Sequence, residues 1–212
     1  MAKTSDNQQT TITPDRYQRI SPIYDWMEIL PERKYISWRE RLWSLVRGPE
    51  VLEVGVGTGK NLAFYPEGVR VTGVDLTPGM LERARKRAAM LNRDITLLLG
   101  DARNLEFPNS LFESVVATYV FCSVSDPVQG LQELGRVVNP AGRIFLLEHV
   151  RSAKPIVGKI MDILNPAMVR VTGANINRRT VENVRLSGLL IEHVEDLGVG
   201  DIYKLIIARR ED

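Results

Sequence analysis

The chain is poor in the residues that build disulfides and metal centres. Its 212 residues include one cysteine, Cys122, and two histidines, His149 and His193. A single thiol excludes an internal disulfide and a thiol-rich metal cluster, and no metal site is expected. So little cysteine suits a reducing cytoplasm. No apolar run approaches the length of a bilayer span. The opening "MAKTSDNQQTTITPD" is polar and lacks the apolar core of a secretory signal. Neither sign of charge dominates: 28 basic against 26 acidic residues leave a formal net charge of +2. That is too little to argue for a nucleic-acid partner. Internal repeats and low-complexity tracts are absent too. What is there is 44% hydrophobic and 25% charged, an ordinary composition for a globular enzyme, in a chain long enough for one substantial core.

Thr13-Pro14 reads as a helix start, an N-cap followed by a first-turn proline. A second helix is expected over Pro31–Arg47, with Tyr35, Trp38, Leu42 and Leu45 on one face. From Glu50 the pattern changes to short apolar strands separated by helices. "VLEVG", "VRVTGVD", "ITLLLGD", "SVVATYVF" and "GRIFLLEHV" read as strands, and "LLIEHVEDL" with "IYKLIIARR" as a closing hairpin around 198–201. Helices are expected after Thr77-Pro78 and Asp126-Pro127. Such alternation predicts an α/β fold, a mostly parallel sheet with helices on both faces. In these sheets a ligand lies at the carboxyl ends of the strands, near the point where strand order reverses.

The first strand runs into "VLEVGVGTGKNL". The glycines fall at Gly55, Gly57 and Gly59, whereas a dinucleotide fingerprint would place its last glycine at position 60, which is Lys60. Glu53, just ahead of the loop, is awkward for a pyrophosphate but suits a ligand carrying an ammonium and a sulfonium. S-adenosylmethionine is such a ligand. Asp75 ends the second strand, where a carboxylate can accept both ribose hydroxyls. Asp101-Ala102 ends the third, where an acid and a small residue can bond the adenine amino group and leave room for the ring.

On these residues the segment from roughly 50 to 150 resembles a class I S-adenosylmethionine-dependent methyltransferase. "VLEVGVGTG" is similar to the family's first motif and "VTGVDLTPGML" to its acidic second strand. "LLLGDARNLEFPNSLFESVVATYVFCSV" resembles the adenine-binding loop and fourth strand, and "ELGRVVNPAGRIFLLEH" the fifth-strand region. Within the class, "YQRISPIYDWM" is similar to the quinone-biosynthesis C-methyltransferases and the bacterial phospholipid N-methyltransferases. The common F-D-x-V stands here as Phe112-Glu113-Ser114-Val115, and P-G-G as Pro140-Ala141-Gly142. The resemblance implies a Rossmann-like fold with a seven-stranded sheet ending in an antiparallel hairpin. Residues 1–12 read as a disordered lead-in, and one domain is expected over 13–212. That domain divides into a helical cap (13–48), a cofactor core (49–150), a substrate lid (151–187) and a closing hairpin (188–212).

Carried over, the resemblance sets Glu53, Gly55, Gly57, Thr58 and Gly59 about the methionine end of the cofactor. Asp75 takes the ribose, Leu76 and Met80 flank the adenine, and Asp101 and Ala102 hold its edge. Thr118 lies near the sulfonium, while Tyr17 and Tyr24 close the N-terminal side, with Tyr24 also a candidate catalytic residue. Packing of an N-terminal helix explains the two tyrosines equally well. His149, after the fifth strand, is the candidate base; a strand-end packing role is the alternative. His193 reads as structural.

The acceptor has to be sought outside this core. Trp26, Trp38 and Trp43 lie among Arg33, Lys34, Arg39, Arg41 and Arg47, a combination used by interfacial helices and also by packed ones. The stretch from Pro155 to Val171 is apolar and contains Met161 and Met168, which suits a lipophilic acceptor. Arg178 and Arg179 follow as a candidate phosphate site, with solvated surface as the alternative. The resulting expectation is a cytoplasmic methyltransferase that binds S-adenosylmethionine and yields S-adenosylhomocysteine. Its acceptor is a lipophilic small molecule or phospholipid, foremost a phosphatidylethanolamine-type amine, reached by peripheral contact at the inner membrane face. A quinone-precursor carbon, a small thiol or xenobiotic, and a cofactor-binding protein without turnover are the alternatives. No nucleic-acid partner is expected, and the oligomeric state is left open.

Overall fold

The computed structural model describes residues 29–198 and 200–211, with side chains from Tyr35 onward. Tyr17, Tyr24 and Trp26, and the helix start at Thr13-Pro14, lie outside the described residues. Helix α1 (Ile29–Trp43) precedes strand β1 (Glu50–Val54), β2 (Arg70–Asp75), helix α2 (Pro78–Met90), β3 (Thr96–Leu99) and β4 (Phe112–Thr118). Helix α3 (Pro127–Val137), β5 (Val138–His149), α4 (Pro155–Thr172), α5 (Thr180–Leu186), β6 (Leu189–Asp196) and β7 (Tyr203–Arg210) follow.

The seven strands form one sheet in the order β3-β2-β1-β4-β5-β7-β6. The first five are parallel; β7 runs antiparallel to β5 and β6 antiparallel to β7. This is the expected Rossmann-like architecture. Strand order reverses between β1 and β4, so the loops leaving their carboxyl ends diverge and open a crevice there.

Period-two side-chain alternation divides the core between the two faces of the sheet. Leu52, Val54, Val115, Ile144 and Leu146 pack with Leu131 and Leu134 of α3 and Val184 of α5. Val51, Val116, Phe145 and Leu147 pack on the other side with Leu42 and Trp43 of α1 and Ala88 of α2. Both faces of the central strands are covered, which is why buried apolar residues stand at adjacent positions in β1 (Val51, Leu52) and β4 (Val115, Val116, Ala117).

The segment after β5, expected as a substrate lid, contains the 18-residue helix α4. Pro155 opens it, and Gly173 closes it in the left-handed region (φ 80°) with its N–H donating to Val169 O. Pro166 lies inside the helix, where it has no N–H to donate to the preceding turn. Helix α1 packs one face on the core where its side chains are described, as the second of its two readings has it, while Ile36, Glu40 and Arg41 stay exposed. Trp43 is buried against Tyr65, ring centroids 4.5 Å apart, and Trp38 stacks on Tyr35 at 5.2 Å. Arg39 is buried, Arg41 pairs with Glu195 at 3.6 Å, and Arg47 donates to the Ser44 and Val46 carbonyls. Trp38 and Trp43 are packed in protein, Trp38 against Tyr35 and Tyr203 and Trp43 against Tyr65. Among the described residues, no helix is long and apolar enough to cross a membrane.

Candidate active site

A cleft opens at the carboxyl ends of β1, β2 and β4, at the reversal of strand order. Glu53, Gly55, Gly57, Thr58, Asp75, Leu76, Met80, Asp101, Ala102 and Thr118 all line it, together with Arg39, Lys60, Asn61, Arg103, Tyr119 and Val124. Gly59 lies in the same loop. The loop's shape requires its glycines. Gly55 has φ +72°, and a Cβ there would lie 2.3 Å from Val120. Gly57 has φ +55°, and the nearest atom to a Cβ there would be the Gly55 carbonyl oxygen at 4.0 Å, so backbone alone borders the cavity at that point.

Asp75 ties the loop to the end of β2. Its Oδ2 accepts from Gly57 N and its Oδ1 from Thr77 N, both at 2.9 Å. Burial raises the Asp75 carboxyl above its ordinary value, against the opposing pull of these backbone donors. Thr77 thus serves the start of α2 through its backbone; its side chain makes no capping bond. At the end of β3, Asp101 pairs with Arg103 at 2.8 Å, and Arg103 Nη1 donates to Ser125 Oγ at 2.8 Å. Burial would raise Asp101, but bonds from the Arg103 side chain and N–H hold it below the usual carboxylate range.

Beneath the other end of the cleft lies a buried polar network. Arg39 Nη1 donates to Asn61 Oδ1 (2.6 Å), Asn61 Nδ2 donates to Glu53 Oε1 (2.6 Å) and Thr118 Oγ1 (3.1 Å), and the Tyr65 hydroxyl donates to Glu53 Oε2. Burial pushes Glu53 up to about 7, although Tyr65, Asn61 and the Arg39 charge all favour its ionised form. Sequence reasoning missed Arg39, Asn61 and Tyr65. One signal was available: Arg39 shares the helical stripe of Leu42, Trp43 and Val46, and a cation on a buried face calls for a partner.

These residues fit the cofactor. Asp75 offers a carboxylate to a pair of hydroxyls, and Leu76, Met80, Ala102 and Val124 give an apolar slot for a flat base. Glu53 offers negative charge to an ammonium, and Arg39 supplies positive charge for a carboxylate within the same cleft. When bound, S-adenosylmethionine supplies an electrophilic methyl group on its sulfonium.

Next to the network stands a cluster of aromatic rings. Tyr119, in the left-handed region at φ 57°, tilts against Tyr35 at 5.4 Å, and the Arg39 guanidinium sits 5.6 Å from its ring centre. Tyr203 lies 5.1 Å from Trp38 and 5.4 Å from Tyr35, and the Tyr35 and Tyr203 hydroxyls share a hydrogen bond of 2.8 Å. His149 stands edge-on to Tyr203 at 5.2 Å. Burial pushes its imidazole below the ordinary value, which favours the neutral form. It adjoins this cluster and is not part of the cofactor cleft lining. His193 is exposed on β6, 3.7 Å from Glu195.

The structure does not bring Arg178 and Arg179 together as a cation pair. Arg178 Nη2 donates to Val124 O at 2.9 Å and Cys122 O at 3.4 Å, beneath the loop after β4. Arg179 is exposed and pairs with Glu182 at 3.2 Å. Each guanidinium has oxygens of the chain itself among its partners.

With this geometry in place, comparison with known proteins decides the family. Residues 52–146 match the profile of a methyltransferase domain. A demethylmenaquinone methyltransferase of Thermus thermophilus is 31% identical over 151 residues, covering 68% of this chain and 69% of that one. The chain belongs to the class I S-adenosylmethionine-dependent methyltransferases. A phosphatidylethanolamine N-methyltransferase of Cereibacter sphaeroides is 39% identical over 105 residues, 49% of this chain and 52% of the relative. A thiol S-methyltransferase of Homo sapiens is 36% identical over 130 residues, 56% of this chain and 52% of the relative. The chain thus spans about half to two thirds of the length of such relatives. Among solved structures, a methyltransferase from Thermotoga maritima superposes with a TM-score of 0.70 at 20% identity, covering 93% of this chain and 99% of that one. The PH0226 protein of Pyrococcus horikoshii gives 0.71 at 19% identity, over 92% and 98%. At such identities these two establish the shared fold.

Proposed function

We propose that this methyltransferase acts on a lipophilic acceptor, and that the acceptor is the amine of a phosphatidylethanolamine-type phospholipid. The observation that carries the reading is the aromatic cluster of Tyr35, Trp38, Tyr119 and Tyr203, with Tyr119 lining the cofactor cleft. Each of these rings is half-buried. Aromatic faces carry negative charge density and attract ammonium groups, the more so as methylation weakens their hydration. The relative that methylates phosphatidylethanolamine supports the same choice.

An amine attacks only as the free base, so a proton has to leave before or during transfer. We assign His149 as the acceptor of that proton, because burial favours the neutral form of its imidazole and it adjoins the ring wall through Tyr203. Holding the acceptor nitrogen in line with the departing sulfur supplies much of the rate, on the order of 7–11 kcal/mol at best. Work at the inner face of a membrane belongs to the same proposal.

The same rings suit a second acceptor. A flat quinone precursor stacks on aromatic faces, and the demethylmenaquinone relatives extend over more of this chain. Transfer of radiolabelled methyl groups to a panel of phosphatidylethanolamine, quinone precursors and thiols tests the choice. Successively methylated phosphatidylethanolamine is the expected product, with His149→Ala slowing turnover at neutral pH and least at acid pH, where the parent's imidazole is itself protonated. A quinone or thiol product without lipid product overturns the phospholipid reading. Cofactor binding without any product overturns turnover itself.

A further inference from the structure

Helix α4 turns apolar side chains outward. Gly158 and Met161 face the body of the protein and are buried. On the opposite side Ile156, Ile160, Ile163, Leu164 and Val171 are 77%, 50%, 68%, 51% and 75% exposed. Their spacing, i, i+4, i+7, i+8 and i+15, puts them on one continuous stripe. A surface helix of an ordinary domain shows polar residues there. Lys159 and Arg170, three helical turns apart, are exposed along one edge of the stripe, and Lys154 is exposed at its start. Asp162, the helix's one acid, is paired with Arg151 at 2.8 Å. The charge left along the stripe is therefore positive. The helix is not apolar enough to span a bilayer, and it follows directly on the carboxyl end of β5.

We propose that α4 docks the protein on the surface of an anionic lipid bilayer. The apolar stripe enters the acyl boundary, and Lys154, Lys159 and Arg170 meet the headgroup charge. A greasy face edged by basic residues is the pattern that binds helices in the plane of a membrane. Charge complementarity selects anionic lipid over a second copy of the chain, whose own α4 would present like charge. This inference rests on the lipophilic-acceptor reading and moves the membrane contact from α1, whose tryptophans are packed, to α4.

The test uses the full chain with vesicles of phosphatidylcholine, with and without phosphatidylglycerol. An environment-sensitive dye on Ile163→Cys should shift to the blue only with the anionic vesicles; the native Cys122 is buried. Ile160→Asp with Ile163→Asp should reduce flotation at least tenfold while S-adenosylhomocysteine binding stays unchanged. Lys159→Gln with Arg170→Gln should reduce flotation several-fold and flatten its dependence on salt. A blue-shifted dye without vesicles means that residues 1–28 or a second copy covers the face, and overturns the proposal. So does flotation of the aspartate variant at the level of the parent, or no flotation of the parent. Methyl transfer to a short-chain, monomeric phosphatidylethanolamine separates the two ideas. Transfer there without vesicle docking removes the α4 surface and leaves the acceptor. Docking without methylation of any phosphatidylethanolamine removes the acceptor and leaves the surface.

Discussion

Asn61 bridges Glu53 and Arg39: its amide nitrogen donates to the buried carboxylate at 2.6 Å, while its oxygen accepts from the guanidinium at 2.6 Å. One neutral side chain thus relays between two opposite charges below the cofactor cleft. With Glu53 pushed up to about 7, its ionisation falls within the neutral range. Raising the pH from 6 to 8 converts it to a carboxylate and increases its attraction for an ammonium. Calorimetric affinity for S-adenosylhomocysteine should therefore strengthen across that interval, and Glu53→Gln should flatten the dependence. An equally steep profile in the variant would place the titrating group elsewhere.

Asn61→Ala should cost stability even without ligand. It leaves the Glu53 carboxylate and the Arg39 guanidinium each short of a bond in a buried site, a loss of about 1–3 kcal/mol. Denaturant unfolding of the free protein reads this directly, and an unchanged midpoint would show that the relay contributes nothing.

Asp75 has two duties, and substitution can separate them. Its carboxylate receives Gly57 N and Thr77 N, which shapes the loop, and it faces the cleft where ribose hydroxyls are expected. Asp75→Ala should weaken S-adenosylhomocysteine binding by about 1–3 kcal/mol, roughly 5- to 150-fold. Asp75→Asn keeps an oxygen for one backbone donor and should lose less. Equal affinity in all three proteins, measured by calorimetry, would remove Asp75 from the cofactor site.

The parts of this site that sequence made legible are local ones. Gly55, Gly57 and Gly59 stand in one loop, and Asp75 and Asp101 stand at strand ends that apolar pattern alone locates. The unread parts depend on packing between distant segments. Arg39 enters the cleft from α1, and Tyr203 comes from the last strand to meet Tyr35 and Tyr119. No spacing rule links these positions. Helix α4 was hidden because its outer face is as apolar as its inner one, so the helical period is weak, and Pro166 interrupts it.

Adjacent arginines with unlike surroundings should behave differently when truncated. Arg178 is largely buried and donates to the Val124 and Cys122 carbonyls, so Arg178→Ala should destabilise the fold by about 1–3 kcal/mol. Arg179 makes an exposed pair with Glu182 on α5, and Arg179→Ala should stay within about 0.5 kcal/mol of the parent. Thermal unfolding of both variants checks the contrast. A neutral Arg178→Ala that raises the Michaelis constant for a phospholipid would instead place the arginine in the acceptor site.

Glu148 gives the fold a pH dependence of definite sign. It is fully buried on β5, and its Oε1 accepts from Val120 N at 2.9 Å and Phe121 N at 3.1 Å. Burial pushes it up to about 8, with those donors and the Arg178 charge only partly opposing. In the unfolded chain a glutamate ionises near its ordinary value of 4.5. Between 4.5 and about 8 the native state therefore holds a proton that the unfolded state has released. The contribution of Glu148 to stability is fully present below 4.5 and is lost as pH rises toward 8. Glu53 and Asp75, also raised, act in the same sense, whereas His149, lowered, weakens the fold on the acid side. Comparing one variant with its parent at each pH isolates Glu148. Glu148→Gln keeps an oxygen for the Val120 and Phe121 donors and removes the titration. It should match the parent in denaturant unfolding near pH 5 and exceed it increasingly toward pH 8. A constant difference between the two proteins from pH 5 to 8 would mean that Glu148 is ionised in the native state throughout.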